Sequence, residues 1–402
     1  LNNTTTFGHA DNSGFYASNP WSLSQCCKSI GGEGQVMKRL ISILRESNID
    51  CLPNERFTLD VQMFPENGEE HSFPKQVMFE RPKLENGKKP VPEAQDSMFH
   101  FFLDGSERSH RVIDASFGSH YLPICAGQIG VAVLEREDFR HIVPRRDFTR
   151  VENIIAVPDI LDDDYAMSLE RKINQEMPAS DHFRVVRYDC QNKTDKDPAD
   201  LGRAMIIHEM QMLELRTIKE MIALHAIRDD RMLVKDGGLQ YRTTKIRNLD
   251  LKDDRVQLRN VIGLAKTFKP NMTLGRGRGR QDLGNLTKNL NWKERTTVIS
   301  PDKDEFSTHG WWYLRLRPRE KVYSPLQGIV KIEVFASDSE KDNDGIAEER
   351  ADTISSYVLL ERNVTPYNAD SRWASHIYPI YLAESYLRSS FLSHERFKAL
   401  II

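Results

Sequence analysis

Apolar residues recur along this chain in two rhythms, a helical one near each end and an extended one between. Val36, Leu40, Ile41, Ile43 and Leu44 form a stripe at helical spacing, so residues 21–49 predict an amphipathic helix. Residues 65–96 are rich in Pro, Gly, Lys and Glu and predict a long loop or linker. The pattern then changes sharply at Met98-Phe-His-Phe-Phe-Leu103, a run suited to a buried strand. Further strands are expected at 111–115, 121–135, 151–157 and 183–189. The longest helix is expected at about 200–228, opened by Asp197-Pro198 and Asp200, and it leads into a short strand at Met232-Leu-Val234. A polar stretch at 241–256, the apolar Val261-Ile-Gly-Leu264 and a Gly/Arg segment at 275–284 follow. Strands at 296–299, 311–317 and 328–335 precede two helices at 346–361 and 371–392. No internal repeat of fixed period is found. This order predicts an α/β fold with a mixed sheet flanked by helices. It divides the chain into an N-terminal helical and loop region, 1–90, assigned to partner docking or dimerisation, and a main domain, 91–402.

Composition narrows the class. The 402 residues are 39% hydrophobic and 29% charged, as in soluble globular proteins. No run approaches the roughly 18 consecutive apolar residues of a membrane span, and the first residues lack the basic-then-apolar order of a secretion signal. The five cysteines (Cys26, Cys27, Cys51, Cys125, Cys190) include no CxxC pair, which argues against a zinc knuckle or a disulfide framework and for a reducing cytoplasm. A net charge of −3 argues against a protein that coats nucleic acid by bulk charge. It leaves room for a nuclease, which needs local acid for metal and local base for DNA. Acids crowd 159–164 and 337–349, while Arg276, Arg278 and Arg280 stand together.

Two apolar runs end in the same way: Phe101-Phe-Leu103 in Asp104-Gly105-Ser106, and Met232-Leu-Val-Lys235 in Asp236-Gly237-Gly238. Gly allows the backbone to turn away, leaving each Asp at the carboxyl end of a strand; a plain turn dipeptide is the alternative. Glu214 lies inside the apolar stripe of the long helix, between Ile207 and Met210 on one side and Ile218 and Met221 on the other. A buried carboxylate needs a metal ion, a cation such as Arg216, or a proton of its own; Glu209 and Glu220 are the alternatives on neighbouring faces. Together Asp104, Glu214 and Asp236 make a hard-oxygen set suited to manganese or magnesium and to phosphodiester cleavage.

The order of these motifs resembles the NurA nucleases. The strand ending Asp104-Gly-Ser106, the helix with Glu214 and the strand ending Asp236-Gly-Gly-Leu239 come first. Val261-Ile-Gly-Leu-Ala-Lys266 and the closing Tyr378-Pro379-Ile-Tyr-Leu382-Ala-Glu384 follow, so the resemblance spans about residues 98–392. It implies an RNase H-like fold, Mn2+-dependent (or Mg2+-dependent) cleavage of DNA ends and single strands, and a homodimer. It also implies a HerA-type hexameric ATPase as partner, in DNA end resection or repair or in anti-phage defence. The chain departs from the family where a His is expected near the closing helix. The comparable position is Tyr386, and His376 is the nearest substitute as ligand or proton donor, with a capping or surface His as the alternative.

Lys266 is a candidate phosphate contact, or simply an exposed lysine. The alternation of Trp311-Trp-Tyr-Leu-Arg315-Leu-Arg317 predicts an open basic face carrying Arg315 and Arg317, either as a DNA track or as solvated arginines. Arg276, Arg278 and Arg280 would add flexible phosphate contacts. The segment that carries them lacks Gly-Lys-Ser/Thr and is no Walker loop, so ATP hydrolysis would have to come from a partner. A non-catalytic scaffold that caps an ATPase ring and binds DNA is the rival reading.

Overall fold

In the computed structural model, the described residues are 39–54, 76–138, 141–192, 196–239, 258–266, 268, 273–274, 281–301, 309–343, 345–363 and 371–402. The run at Met98 becomes a much longer strand than its apolar stretch, β1 (Phe99–Phe117), paired antiparallel with β2 (His120–Arg136). Gly105 to Arg111 carry no apolar side chain, but the facing residues of β2 keep pairing with them, and Val112, Ile113 and Ala115 are buried again, so the ladder runs past Asp104. β3 (Arg150–Pro158) adds antiparallel to β2. β4 (Phe183–Tyr188) joins β3 in parallel after a helical crossover. On the other side of β1, β5 (Met232–Asp236) and then β6 (Val261–Ala265) run parallel to it. β7 (His309–Arg315) and β8 (Ile329–Phe335) extend the sheet, giving the order β7-β8-β6-β5-β1-β2-β3-β4 for its long strands, with short strands added beyond β7. The protein is thus α/β, with a large mixed sheet flanked by helices.

Each face of the sheet has its own core. On one face Phe99, Phe102, Val234, Ile262 and Trp312 pack against α4 (Glu348–Glu361) and α5 (Tyr378–Ser390) through Ile354, Val358, Ile380 and Ala383. On the other, Phe101, Leu103, Val131, Val133 and Leu233 meet α3 (Pro198–Ala223) through Leu213, Leu215, Ile218 and Met221. Asp197 caps α3 by accepting from Ala199 N at 2.8 Å, and Pro198 occupies its first turn. The far ends of β1–β3 are covered by α1 (Leu40–Glu46), α2 (Asp163–Gln175) and α6 (His394–Ile401).

Several boundaries differ from the sequence reading. Within 1–90, residues 50–53 pair with the end of β1, 76–78 with Ile299–Pro301 and 88–90 with Glu294–Thr296. The segment expected as a loop therefore supplies strands. The residues expected as a helix at 21–38, the polar 241–256 and Arg276, Arg278 and Arg280 lie outside the described residues. Among the described residues, no helix is long and apolar enough to cross a membrane.

Candidate active site

The parallel pairing of β1 and β5 builds the centre of the site. Its register sets Leu103 against Lys235, so the next step along both strands puts Asp104 beside Asp236. Adjacent strands lie about 4.8 Å apart, and directly opposed side chains share a face. Asp104 and Asp236 thus project together, on the face covered by α5. Asp104 is 3% exposed, and its Oδ2 and the Oδ1 of Asp236 are buried without a hydrogen-bond partner. Lys266, one residue beyond β6, reaches the same face and donates to Asp236 Oδ2 at 2.7 Å and His376 Nε2 at 2.8 Å. The imidazole at that position accepts, so its proton sits on Nδ1. His376 is 1% exposed, immediately before α5.

The two aspartates differ electrostatically. Burial, and then the charge of Asp236, push the Asp104 carboxyl well above the usual carboxylate range; Lys266 opposes this, while Glu384 and Glu214 add to it. Burial would also raise Asp236, but Lys266, by charge and hydrogen bond, and then Lys235 hold it below its usual value. Lys266 lowers both carboxyls, and its hydrogen bond goes to Asp236.

Only one of the two Asp-Gly sequences is a turn. Gly237 has φ +82, and the backbone leaves β5 there. Lys235 Nζ donates to Asp236 O at 2.7 Å, and Leu239 N donates to Glu333 Oε2 at 2.7 Å, so the turn behind Asp236 is tied from both sides. At Asp104-Gly105 the strand continues instead, with Asp104 opposite Ala132 and Gly105 opposite Val131. A Cβ on Gly105 would lie 2.3 Å from Glu214 Oε1. Gly105 is therefore small so that the helix carboxylate can lie against the strand.

That contact also separates Glu214 from the aspartates. Gly105 and Lys235 project toward α3, and Glu214, 3% exposed, pairs there with Lys235 Nζ at 3.1 Å. The partner demanded by burial is this lysine, since Arg216 pairs with Glu209. Glu209 and Glu220 are engaged by Arg184 and Arg150. As the side chains stand, no three His, Cys, Asp or Glu among the described residues are gathered to grip one ion. The buried oxygens of Asp104 and Asp236 nevertheless fit a hard dication, which would satisfy both at once.

Glu384, on α5, is buried on the aspartates' face and acts on Asp104 more strongly than Glu214 does. Its place in the chain marks only a helix, and its facing depends on how α5 lies on β1. Arg315 and Arg317 are not on an open face: they are 0% and 6% exposed. Arg315 donates to Leu290 O at 2.8 Å and Pro325 O at 2.6 Å, and Arg317 donates to Ala374 O at 3.3 Å and lies over Trp373. Residues 283–290 and 371–375 cover the face that alternation left open, so these arginines bind carbonyls rather than phosphate. Arg317 holds the segment that delivers His376.

No family model and no curated protein matches this chain.

Proposed function

We propose that the protein is a divalent-cation-dependent deoxyribonuclease, a phosphodiester hydrolase with an RNase H-like core. The observation that carries this reading is the Asp104–Asp236 pair, whose two buried oxygens lack hydrogen-bond partners. Two carboxylates side by side in a buried place are costly unless a cation joins them. The fold reading is supported by the order β3-β2-β1-β5-β6, with the first three strands antiparallel and the last two parallel to the first, as in RNase H-like cores.

Asp104 and Asp236 would hold Mn2+ or Mg2+, with Glu384 and, beyond Gly105, Glu214 within electrostatic reach. The bound ion would supply an activated water and a counter-charge for the leaving oxygen. Lys266 keeps Asp236 ionised and orients it by the 2.7 Å contact. His376, neutral and held through Nε2, is placed to receive or return a proton once Lys266 shifts toward a phosphate. DNA as substrate, a homodimer and a HerA-type ATPase rest on the resemblance to NurA nucleases, as do DNA end processing and defence against invading DNA.

A second reading, a DNA-binding scaffold without catalysis, is favoured by the lysines that already meet Glu214 and Asp236. The deciding assay is cleavage of single-stranded and duplex DNA with and without manganese. Asp104→Ala and Asp236→Ala are each expected to abolish manganese-dependent cleavage in a folded protein. Unchanged cleavage in both variants refutes the nuclease reading; no cleavage by the unmodified chain, alone or with a HerA-type ATPase, favours the scaffold.

A further inference from the structure

α5 lies along β1 in an order that contacts at its far end make plain. Arg108 donates to Leu392 O at 3.2 Å and to Arg388 O at 3.3 Å, and its guanidinium stands 5.1 Å over Phe391. A Cβ on Gly130, which pairs with Ser106, would meet Leu387 at 2.8 Å and Phe391 at 2.9 Å. The helix therefore runs in the same direction as β1. From Phe391 back to Glu384 is about 10 Å of helix, and from Arg108 back to Asp104 about 13 Å of strand. Glu384 arrives beside Asp104. Its carboxylate pairs with Arg388, one turn on, at 2.7 Å; the glutamate side chain is 10% exposed and the arginine 45%. The helix thus carries a carboxylate inward and, one turn on, a guanidinium in contact with solvent.

We propose that Glu384 is a further carboxylate of the cation site, and that Arg388 takes a backbone phosphate of the DNA and so frees Glu384 for the ion. This inference rests on the nuclease reading above and names how its substrate is engaged. The buried Asp104 oxygen has no hydrogen-bond partner, and a cation beside it would satisfy it. The Glu384–Arg388 pair is an i,i+4 pair whose arginine is half-exposed, so solvent screens it. A phosphate that accepts two charge-assisted hydrogen bonds from the guanidinium outcompetes it. Arg108, hydrogen-bonded to the same turn, adds positive charge to the path. Phosphate on Arg388 and a cation on Glu384 then favour one another, because each removes the competitor of the other.

The test measures Mn2+ affinity by loss of the free-ion paramagnetic resonance signal on the full-length chain. Binding of a single-stranded oligodeoxynucleotide is measured separately, by fluorescence anisotropy without divalent ions. Glu384→Gln is expected to weaken Mn2+ binding about tenfold. Arg388→Gln is expected to strengthen Mn2+ binding while weakening oligonucleotide binding about tenfold, the loss of about 1.4 kcal/mol of phosphate contact. These opposite signs are what a merely structural helix pair does not produce. Wild-type Mn2+ affinity in Glu384→Gln, with affinity lost in Asp104→Asn, overturns the role of Glu384 and leaves the nuclease reading intact. Wild-type values for both ligands in Arg388→Gln overturn the role of Arg388. Wild-type Mn2+ affinity in Asp104→Asn removes the cation site itself, and this inference with it.

Discussion

Gly105→Ala tests the arrangement at the centre of the molecule without assuming any activity. The added methyl would sit 2.3 Å from Glu214 Oε1 and 2.9 Å from its carboxyl carbon, both well inside ordinary contact. Glu214 is 3% exposed and has Lys235 at 3.1 Å, so it can yield only by loosening that pair. Replacing glycine within an extended segment gains about 0.5–1 kcal/mol from the backbone. Against this stand about 1–3 kcal/mol of overpacking and part of the roughly 3–5 kcal/mol lost when a buried ion pair is broken. The net is a loss of about 3 kcal/mol, and at about 2.1 cal/mol/K per residue this lowers the melting temperature by about 4 °C. The assay is a double-mutant cycle by thermal and urea unfolding, with Glu214→Ala as the second substitution. In that background Gly105→Ala is expected to be neutral or slightly stabilising, a coupling of about 3 kcal/mol. An equal loss in both backgrounds would refute the argument, because the glycine would then serve the backbone rather than Glu214.

The two aspartates are expected to respond to pH in opposite senses. Asp104, raised in the folded protein, stabilises it only while protonated, so this contribution is lost as pH rises from near 3.8 through the folded value. Without divalent ions, Asp104→Asn is expected to narrow the fall in urea midpoint between pH 5 and pH 8, and an unchanged fall counts against the shift. Asp236, lowered by Lys266, contributes stability above about 3.8 that is lost as pH drops through its folded value. Lys266→Ala should therefore lessen the acid sensitivity that arises at this site, as followed by acid titration of tryptophan fluorescence; an acid profile like that of the wild type would exclude Lys266 as the cause. Arg315→Ala strips Leu290 O and Pro325 O of buried donors and is expected to cost about 2–4 kcal/mol. The salt dependence of its DNA binding should match that of the wild type, and a reduced slope would return Arg315 to the phosphate contacts.

What the chain's own order determined was the sequence of elements and the two aspartates. Buried strands announce themselves by apolar runs, and Asp197-Pro198 marks the start of α3, because both signals are local. Asp104, Asp236 and the burial of Glu214 were legible for the same reason. Tertiary structure decided everything that depends on a neighbour distant in sequence. The partner strand β2 carries β1 straight through Asp104-Gly105, and the glycine makes room for Glu214 where a turn was expected. Glu214 finds Lys235, one position before Asp236, because α3 and the aspartates occupy opposite faces of one sheet. Residues 283–290 and 371–375 bury Arg315 and Arg317, which alternation alone had left open. Glu384 reaches Asp104 only through the way α5 lies on β1. Periodicity tells which side of an element is apolar; it carries no information about what packs against that side.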